Sequence, residues 1–243
     1  MPPEDKGFHQ NWLAQQRADL EELSEALLHD AHDENKLRLL IRKSLEHFES
    51  YTLHRLKLSE EDAPSLFCPV WCTSYENSFL WIGGCRPSFF IRLAYTLSGS
   101  QLEAQLEEYL SGVRRGNLAE LSYVQLSQVN DLHVRTVREE DKLSSRLASL
   151  QENIVDEPLV SFAADSSGSS SLNEVDGTMN AHASAMGKII EDADKLRLST
   201  LTKLLDIFTP RQSLDFLIAS KQLHLSINVW GKRRASCHGK IAT

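Results

Sequence analysis

The sequence predicts an all-α protein, a single bundle-like domain of long antiparallel helices. Apolar residues recur every three or four positions along most of the 243 residues, which is the spacing of amphipathic helices. The chain has only 11 glycines and 7 prolines, and most of the prolines stand where a helix would begin or end. Long helices that bury one apolar stripe each must pack against one another, so we expect a helical bundle.

The first two helices are predicted from their apolar stripes. On the first, charged residues including Asp19 are expected on the face opposite the stripe. A second helix is predicted from about Glu34 to Leu58, ended by an acidic cluster and Pro64. The stripe of the first helix consists of Phe8, Trp12, Leu20, Leu23 and Leu27.

The densest aromatic stretch of the chain is residues 67–90, called here the aromatic segment. Thr73 followed three residues later by Glu76 predicts a capping box at the start of a short helix. The pair Gly83-Gly84 allows the left-handed turn that ends it, and Pro87 suits the first turn of the next helix. Large rigid rings favour a packing role, so we interpret the segment as a core element.

The second half of the chain divides into two more long helices, a linker, a last helix and a tail. Helical spacing predicts helices over residues 118–154 and 180–208, and a restart at a Thr-Pro pair predicts a last helix over 210–230. Residues 155–176 are acidic, serine-rich and free of Lys and Arg, which predicts an internal linker. Residues 231–243 form a basic tail. Because helices flank the linker, residues 1–243 are counted as one domain.

Composition and charge argue against several classes of protein. Lys plus Arg total 26 against 34 Asp plus Glu, a net charge of −8, which argues against a surface built on phosphate contacts. No apolar run approaches the roughly 20 residues of a membrane helix. The first seven residues lack the apolar core of a signal peptide. The sequence therefore predicts a protein of the nucleus and cytoplasm, without membrane contact.

The sequence contains no motif of a known catalytic centre. A phosphate-binding glycine loop, a nucleophile elbow and a paired-histidine metalloprotease helix are all absent, so the protein is predicted not to be an enzyme. Cys68, Cys72 and Cys85 lack a fourth ligand at a metal-site spacing and are interpreted as buried apolar groups. The pair His29 and His32, beside two aspartates, is interpreted as a solvated helix end.

Two features of the last helix and tail leave alternatives open. His224 lies among apolar residues, an environment that suits either an axial haem ligand or a hydrogen-bonded core histidine. Lys232, Arg233 and Arg234 fit a nuclear-import signal, a contact for an acidic partner, or a solvated tail.

Three blocks of sequence resemble the plant delay-of-germination domain, which controls seed dormancy and also forms the C-terminal half of TGA-type leucine-zipper transcription factors. The blocks are residues 8–12, the run FCPVWCTSYENSFLWIGGCRPS over 67–88, and residues 186–212. The residues we assign to the family signature are Trp12, Trp71, Glu76, Trp81, Gly83, Gly84, Arg86, Pro87 and Arg211. Of these, Arg86 is expected to lock its turn by bonding Glu76 or a carbonyl.

The resemblance implies an all-helical regulatory domain that works by protein contacts in seed dormancy, abscisic-acid or stress signalling and in transcription regulation. Because only seven residues precede Phe8, a stand-alone member without the zipper is expected. The implied partners are type 2C protein phosphatases or transcription factors, and a homodimer is allowed. Some relatives bind haem through His-x-x-x-His, read here as His224 and Asn228, so the second ligand is lost. A haem or fatty-acyl sensor and a direct DNA-binding regulator are the alternatives.

Overall fold

The computed structural model describes residues 4–104, 116–156 and 172–239, and these residues confirm the all-α prediction. No strand occurs among them, and their single β-bridge joins Trp81 to Gly84. The helices are α1 (Glu4–His29), α2 (Glu34–Phe67), α3 (Ser74–Asn77), α4 (Ser88–Ala104), a 3-10 turn (Leu118–Glu120), α5 (Tyr123–Asp156), α6 (Leu172–Ile207) and α7 (Pro210–Gly239).

The long helices pack antiparallel, as their contacts show. On α5 and α6, Thr136 meets Thr200 while Arg146 meets Asp192, so residue numbers rise on one helix as they fall on the other. The same reversed order appears in α1 with α2 (Asp19–His47 and Glu22–Lys43) and in α2 with α6 (Arg55–Asp194 and Ser59–Gly187). The three pairs of neighbouring helices therefore run in opposite directions.

Two apolar clusters fill the interior. The larger joins helices α1, α2, α4, α5, α6 and α7 around Leu23, Leu37, Ile91 and Phe216, while the smaller surrounds Leu66. Burying such side chains supplies most of the free energy of folding, at about 1.5–3 kcal/mol for each large apolar side chain. Within the described residues, no helix is both long enough and apolar enough to cross a membrane.

Helix α2 passes the point where the sequence predicts its end. It kinks at Asp62, whose backbone is non-helical, and continues to Phe67 with Pro64 inside it. Asp62 Oδ1 accepts the N–H of Ser65, so Asp62 caps a restarted helix. Pro64 then lies in a first turn, where its missing N–H removes no helical hydrogen bond.

The predicted boundaries of α5 and α6 also shift. The helix expected from residue 118 begins as a 3-10 turn, and α5 starts only after Ser122, whose side chain and that of Gln125 form a reciprocal cap. Of the predicted linker, residues 157–171 lie outside the described residues. Residues 155–156 and 172–176 are helical, because α5 continues to Asp156 and α6 begins at Leu172. Acidic residues in a first helical turn are stabilised by the helix dipole, which the linker prediction overlooked.

The basic tail is helical as far as the structure describes it. Helix α7 continues past Trp230 to Gly239, and residues 240–243 lie outside the described residues. Lys232, Arg233 and Arg234 are exposed on this extension. No proline interrupts it, and cations near the C-terminal end of a helix are favoured by its dipole.

Candidate functional site

A cavity of about 230 Å³ lies between α1, α2, α6, α7 and the aromatic segment. Its walls are mainly apolar and aromatic, with Trp12, Tyr51, Trp71 and Leu217 among them. The volume lies just below the range of about 300–1,000 Å³ typical of small-molecule sites. Several of the polar groups on its wall are buried charges.

One charge cluster on the wall is a buried triad of two arginines and one aspartate. Arg55 Nε donates to Asp194 Oδ2 at 2.9 Å, and Arg197 Nη1 donates to the other carboxylate oxygen. All three side chains are buried. Burial opposes the charge of Arg55, but Tyr51 and Asp194 outweigh it and raise the pKa of Arg55. One carboxylate therefore faces two guanidinium groups, and the triad carries a net positive charge beside the cavity.

Arg197 also holds the tight turn of the aromatic segment. Its Nη2 donates to the carbonyls of Trp81 and Ile82, and its Nε donates to the carbonyl of Cys85 at 2.7 Å. Ile82 and Gly83 both have positive φ, at 46° and 68°. The left-handed turn predicted for Gly83 is confirmed, whereas a β-branched residue with positive φ was not expected and is strained. The three hydrogen bonds of Arg197 offset that strain.

Each of the two glycines is required for a different reason. A Cβ on Gly83 would lie 2.7 Å from the carbonyl oxygen of Leu66, in addition to the cost of positive φ. Gly84 has no such backbone requirement, but a Cβ there would lie 2.8 Å from Arg197 Cζ. Gly84 therefore lets the arginine approach the turn.

The capping box predicted from Thr73 and Glu76 is present, and its glutamate also bonds a residue outside the box. Glu76 Oε2 accepts the backbone N–H and the hydroxyl of Thr73, at 2.9 and 2.8 Å. Its other oxygen accepts the amide of Asn228 on α7. Burial alone would raise the pKa of Glu76, but the hydrogen bonds from Asn228 and Thr73 hold that pKa below its usual value. The cap is therefore an ionised carboxylate that ties α3 to α7.

A second buried ion pair joins the first and last helices. Lys221 Nζ donates to Asp19 Oδ2 at 2.8 Å and to Gln16 at 3.2 Å, and His47 bonds the other oxygen of Asp19. The prediction that Asp19 lies on the outer face is wrong, since Asp19 is only 3% exposed. Burial lowers the pKa of Lys221, while the hydrogen bond from Lys221 holds the pKa of Asp19 below its usual value despite burial.

Among the described residues, Arg86 bonds neither Glu76 nor a carbonyl. Its Nε donates to Glu140 Oε2 on α5 at 2.8 Å, and Glu140 also accepts from Ser88. Pro87, predicted in the first turn, lies one residue before α4. The fully buried carboxylate of Glu140 fixes the start of α4 against α5. Trp81 lies within 6 Å of the guanidinium groups of Arg86 and Arg197, and its Nε1 donates to Ser144.

The structure brings some of the predicted residues together and separates others. His224 lines the cavity, and burial lowers its pKa to about 4, so its ring is neutral. Arg211 lies elsewhere, beside Gly116 and Asp215. The predicted residues on the cavity wall are Trp12, Trp71, Glu76, Gly83, Gly84 and His224, and those away from it are Trp81, Arg86, Pro87, Arg211 and the exposed Lys232, Arg233 and Arg234.

The cysteines differ from their prediction in part. All are free, and Cys68 is exposed, whereas Cys72 and Cys85 are partly buried on the cavity wall. Cys68 follows the last residue of α2, where the chain turns into solvent, which the sequence did not reveal. Burial and the charge of Glu76 raise the pKa of Cys72 to about 12, so this thiol is protonated.

Sequence reasoning missed the buried charges Arg55, Asp194 and Lys221. A signal for them was present, since each continues an apolar stripe. Arg55 follows Phe48 by seven residues and Lys221 follows Leu217 by four, which are same-face spacings on a helix. A charged residue in register with an apolar stripe indicates a buried partner on another helix.

The fold and the site define an all-helical domain that encloses an apolar cavity bordered by buried ion pairs. A family model described as seed dormancy control matches residues 19–96. Protein DOG1-like 3 of Arabidopsis thaliana is 38% identical over 239 residues, covering 94% of this chain and 84% of the relative. Protein DOG1-like 1 of the same plant is also 38% identical, over 93% of this chain and 88% of the relative.

More distant similarity extends to transcription factors. Transcription factor TGA2 of Arabidopsis thaliana is 31% identical over 217 residues, which cover 87% of this chain but 58% of that protein. The chain belongs to the DOG1-like seed dormancy control family. This kinship supports a regulatory, transcription-related role and only indirectly a non-enzymatic one.

Proposed function

We propose that this protein is a non-enzymatic regulator of seed dormancy, abscisic-acid or stress responses, which acts on transcription through protein contacts. Its partners are transcription factors or type 2C protein phosphatases. The observation that carries the proposal is a patch of exposed apolar side chains on the aromatic segment, called here the mouth patch. Val70, Phe79 and Phe89 are 68%, 50% and 43% exposed, and the last two also line the cavity.

The anchoring of the aromatic segment supports this use of the patch. Ile82 and Glu76 are buried, and Arg197 fixes the turn, so the segment is rigid from within. Apolar side chains held on a rigid base lose little conformational entropy on binding, which favours affinity. The core role expected for the segment therefore coexists with a contact surface on its outer side.

The test is binding of the purified chain to a purified type 2C phosphatase and to a purified leucine-zipper transcription factor. We expect at least one to bind, and Phe79→Ser to weaken that binding about tenfold, since an aromatic anchor is typically worth more than about 1 kcal/mol. Tyr123→Ser is the matched control, because Tyr123 is an exposed aromatic residue away from the cavity. Binding to neither partner, or an equal loss in both variants, contradicts the proposal.

A ligand sensor is the second proposed function, and the cavity favours it. A fatty-acyl chain suits an apolar cavity of about 230 Å³ bordered by Arg55, whose buried Nη2 has no hydrogen-bond partner among the described residues. Haem fits less well, because a porphyrin is wide and because Asn228 donates its amide to Glu76 where a second axial ligand would stand. His224 alone remains for the iron.

Two measurements separate these ligands. Organic extraction of the purified protein followed by mass spectrometry is expected to recover a fatty acid, and Arg55→Leu to reduce its amount. Titration with haem is expected to leave the Soret band unshifted; a shift that His224→Ala abolishes would establish the haem version instead.

Direct DNA recognition is the third alternative, and the basic extension of α7 is its only support within the described residues. Three exposed basic residues, Lys232, Arg233 and Arg234, supply few phosphate contacts. We expect no sequence-specific retardation of DNA, with or without residues 231–243.

The three basic residues Lys232, Arg233 and Arg234 are also proposed as a nuclear-import signal. Replacing all three by alanine in a fluorescent fusion is expected to shift the protein from the nucleus to the cytoplasm.

A further inference from the structure

Three side chains with metal-ligand chemistry converge on the wall of the cavity. His9 comes from α1, Cys72 from the loop before α3, and Glu76 from α3 itself. One ligand atom from each residue lies within 4.8 Å of the other two. Because His9 is more than sixty residues from the other two, no ligand spacing in the sequence indicated the cluster.

His9 supplies the observation that calls for a ligand. The residue is only 8% exposed, and its Nε2 is buried without a hydrogen-bond partner among the described residues. Nearly all buried polar atoms in folded proteins have a hydrogen-bond partner, because an unpaired atom loses its hydrogen bonds to water without gaining another. A metal ion bound to the Nε2 lone pair would satisfy this atom.

Glu76 is held in position to contribute a second ligand atom. Two donors of Thr73 occupy Oε2, whereas Oε1 accepts only from Asn228 among the described residues. A carboxylate oxygen has two lone pairs, so one lone pair of Oε1 remains. Hydrogen bonds that orient a ligating carboxylate are the usual second layer of a metal site.

We propose that His9, Cys72 and Glu76 bind Zn²⁺, with a fourth coordination position open to the cavity. A nitrogen, a thiolate and a carboxylate form a ligand set typical of zinc, whereas calcium and magnesium prefer oxygen ligands alone. On binding, a Zn–S bond replaces the S–H bond of Cys72 and the proton passes to solvent. The open position admits water or a donor atom of a molecule in the cavity. The site goes beyond the proposed function and does not depend on it.

Cobalt binding by the full chain tests the proposal. After removal of metals with a chelator, one equivalent of Co²⁺ is expected to bind with thiolate-to-cobalt charge transfer in the near ultraviolet, and Zn²⁺ to displace it. Cys72→Ser is expected to abolish the charge-transfer band, and His9→Gln to weaken affinity about tenfold or more. The matched controls are Cys68→Ser and Cys85→Ser, which are expected to keep the band.

Folding is checked for each variant by circular dichroism. Glu76→Gln keeps one oxygen that can accept from Thr73. Its new NH2 group would face Asn228, whose amide can turn so that Oδ1, unpartnered among the described residues, accepts. The variant is expected to weaken cobalt binding while remaining folded. In the unmodified chain, one proton per metal is expected to be released. Lack of stoichiometric binding at micromolar metal, a band that persists in Cys72→Ser, or a band lost in Cys68→Ser would each overturn the proposal.

Discussion

Asn228 Nδ2 lies 2.8 Å from Glu76 Oε1, and this hydrogen bond links helix α7 to the cap of α3 across 152 residues of sequence. Both side chains are buried, at 2% and 8% exposure. The sequence drew attention to each residue for a separate reason, Glu76 as a cap and Asn228 as a missing haem ligand. Asn228 instead donates a hydrogen bond to a buried carboxylate.

Asn228→Ala is expected to destabilise the protein by about 1–3 kcal/mol, because it leaves one oxygen of a buried carboxylate with no donor from α7. Urea unfolding followed by circular dichroism measures the change. Val229→Ala is the control, since Val229 is the neighbouring residue and is 42% exposed. Equal losses in the two variants would show that the hydrogen bond to Glu76 contributes nothing specific.

Asp194→Ala is expected to cost about 3–5 kcal/mol, because two buried guanidinium groups lose their shared carboxylate. Asp192→Ala is the matched control on the same helix. Asp192 pairs with Arg146 at the surface, where an ion pair is worth about 0–1 kcal/mol. Denaturant titration of both variants gives the comparison, and a cost below 1 kcal/mol for Asp194→Ala would contradict the role assigned to the triad.

Replacing Gly83 and Gly99 by alanine is expected to change the stability of the protein in opposite directions. Gly83→Ala combines positive φ, which costs about 1–2 kcal/mol, with a Cβ only 2.7 Å from the Leu66 oxygen, so destabilisation is expected. Gly99→Ala places a methyl group in open space within α4 and is expected to stabilise by about 0.4–1 kcal/mol. Melting temperatures show whether each variant is stabilised or destabilised. A change in the same direction in both variants would refute the account of Gly83.

Asp215 is expected to make stability depend on pH. Burial raises its pKa from 3.8 to about 6, against the charge of Arg211 and a hydrogen bond from Leu118. Between these two pKa values the folded protein holds a proton that the unfolded chain has released. The contribution of Asp215 to the free energy of unfolding therefore falls as pH rises through this window, by at most about 3 kcal/mol.

Asp215→Asn removes this titration. The variant is expected to be more stable than the unmodified protein at pH 7, and the difference is expected to shrink toward pH 4. Chemical denaturation at a series of pH values measures it, with Asp206→Asn, at an exposed position of α6, as the control. A stability difference independent of pH would exclude the titration of Asp215 as its cause.

Local signals in the sequence predicted local structure well. The capping box of Thr73 and Glu76 and the positive φ of Gly83 depend on residues a few positions apart, so their spacing is informative. The helices follow from the 3.6-residue period in the same way. Helix ends were less predictable, because Asp62 caps a restarted helix and so makes Pro64 acceptable inside α2.

Contacts between distant residues escaped sequence reasoning. Asp19 was assigned to the outer face because it is charged, yet it is buried against Lys221. Arg86 was expected to bond Glu76 or a carbonyl, yet it bonds Glu140. His9 carried no signal of its own, and its neighbours at the cavity are known only from the packing of α1 against the aromatic segment. In each case the partner is distant in the sequence, and no local pattern specifies where it lies.

The ion pair of Asp19 with Lys221 sets an order of events during synthesis. The two residues are 202 positions apart, so at roughly 5–20 residues per second the ribosome adds Lys221 about 10–40 s after Asp19. Until then α1 carries a carboxylate without its lysine, and the cavity lacks the wall that α7 supplies. Nascent chains, and chains truncated before α7, should therefore leave the cavity side of the aromatic segment open to chaperones and proteases.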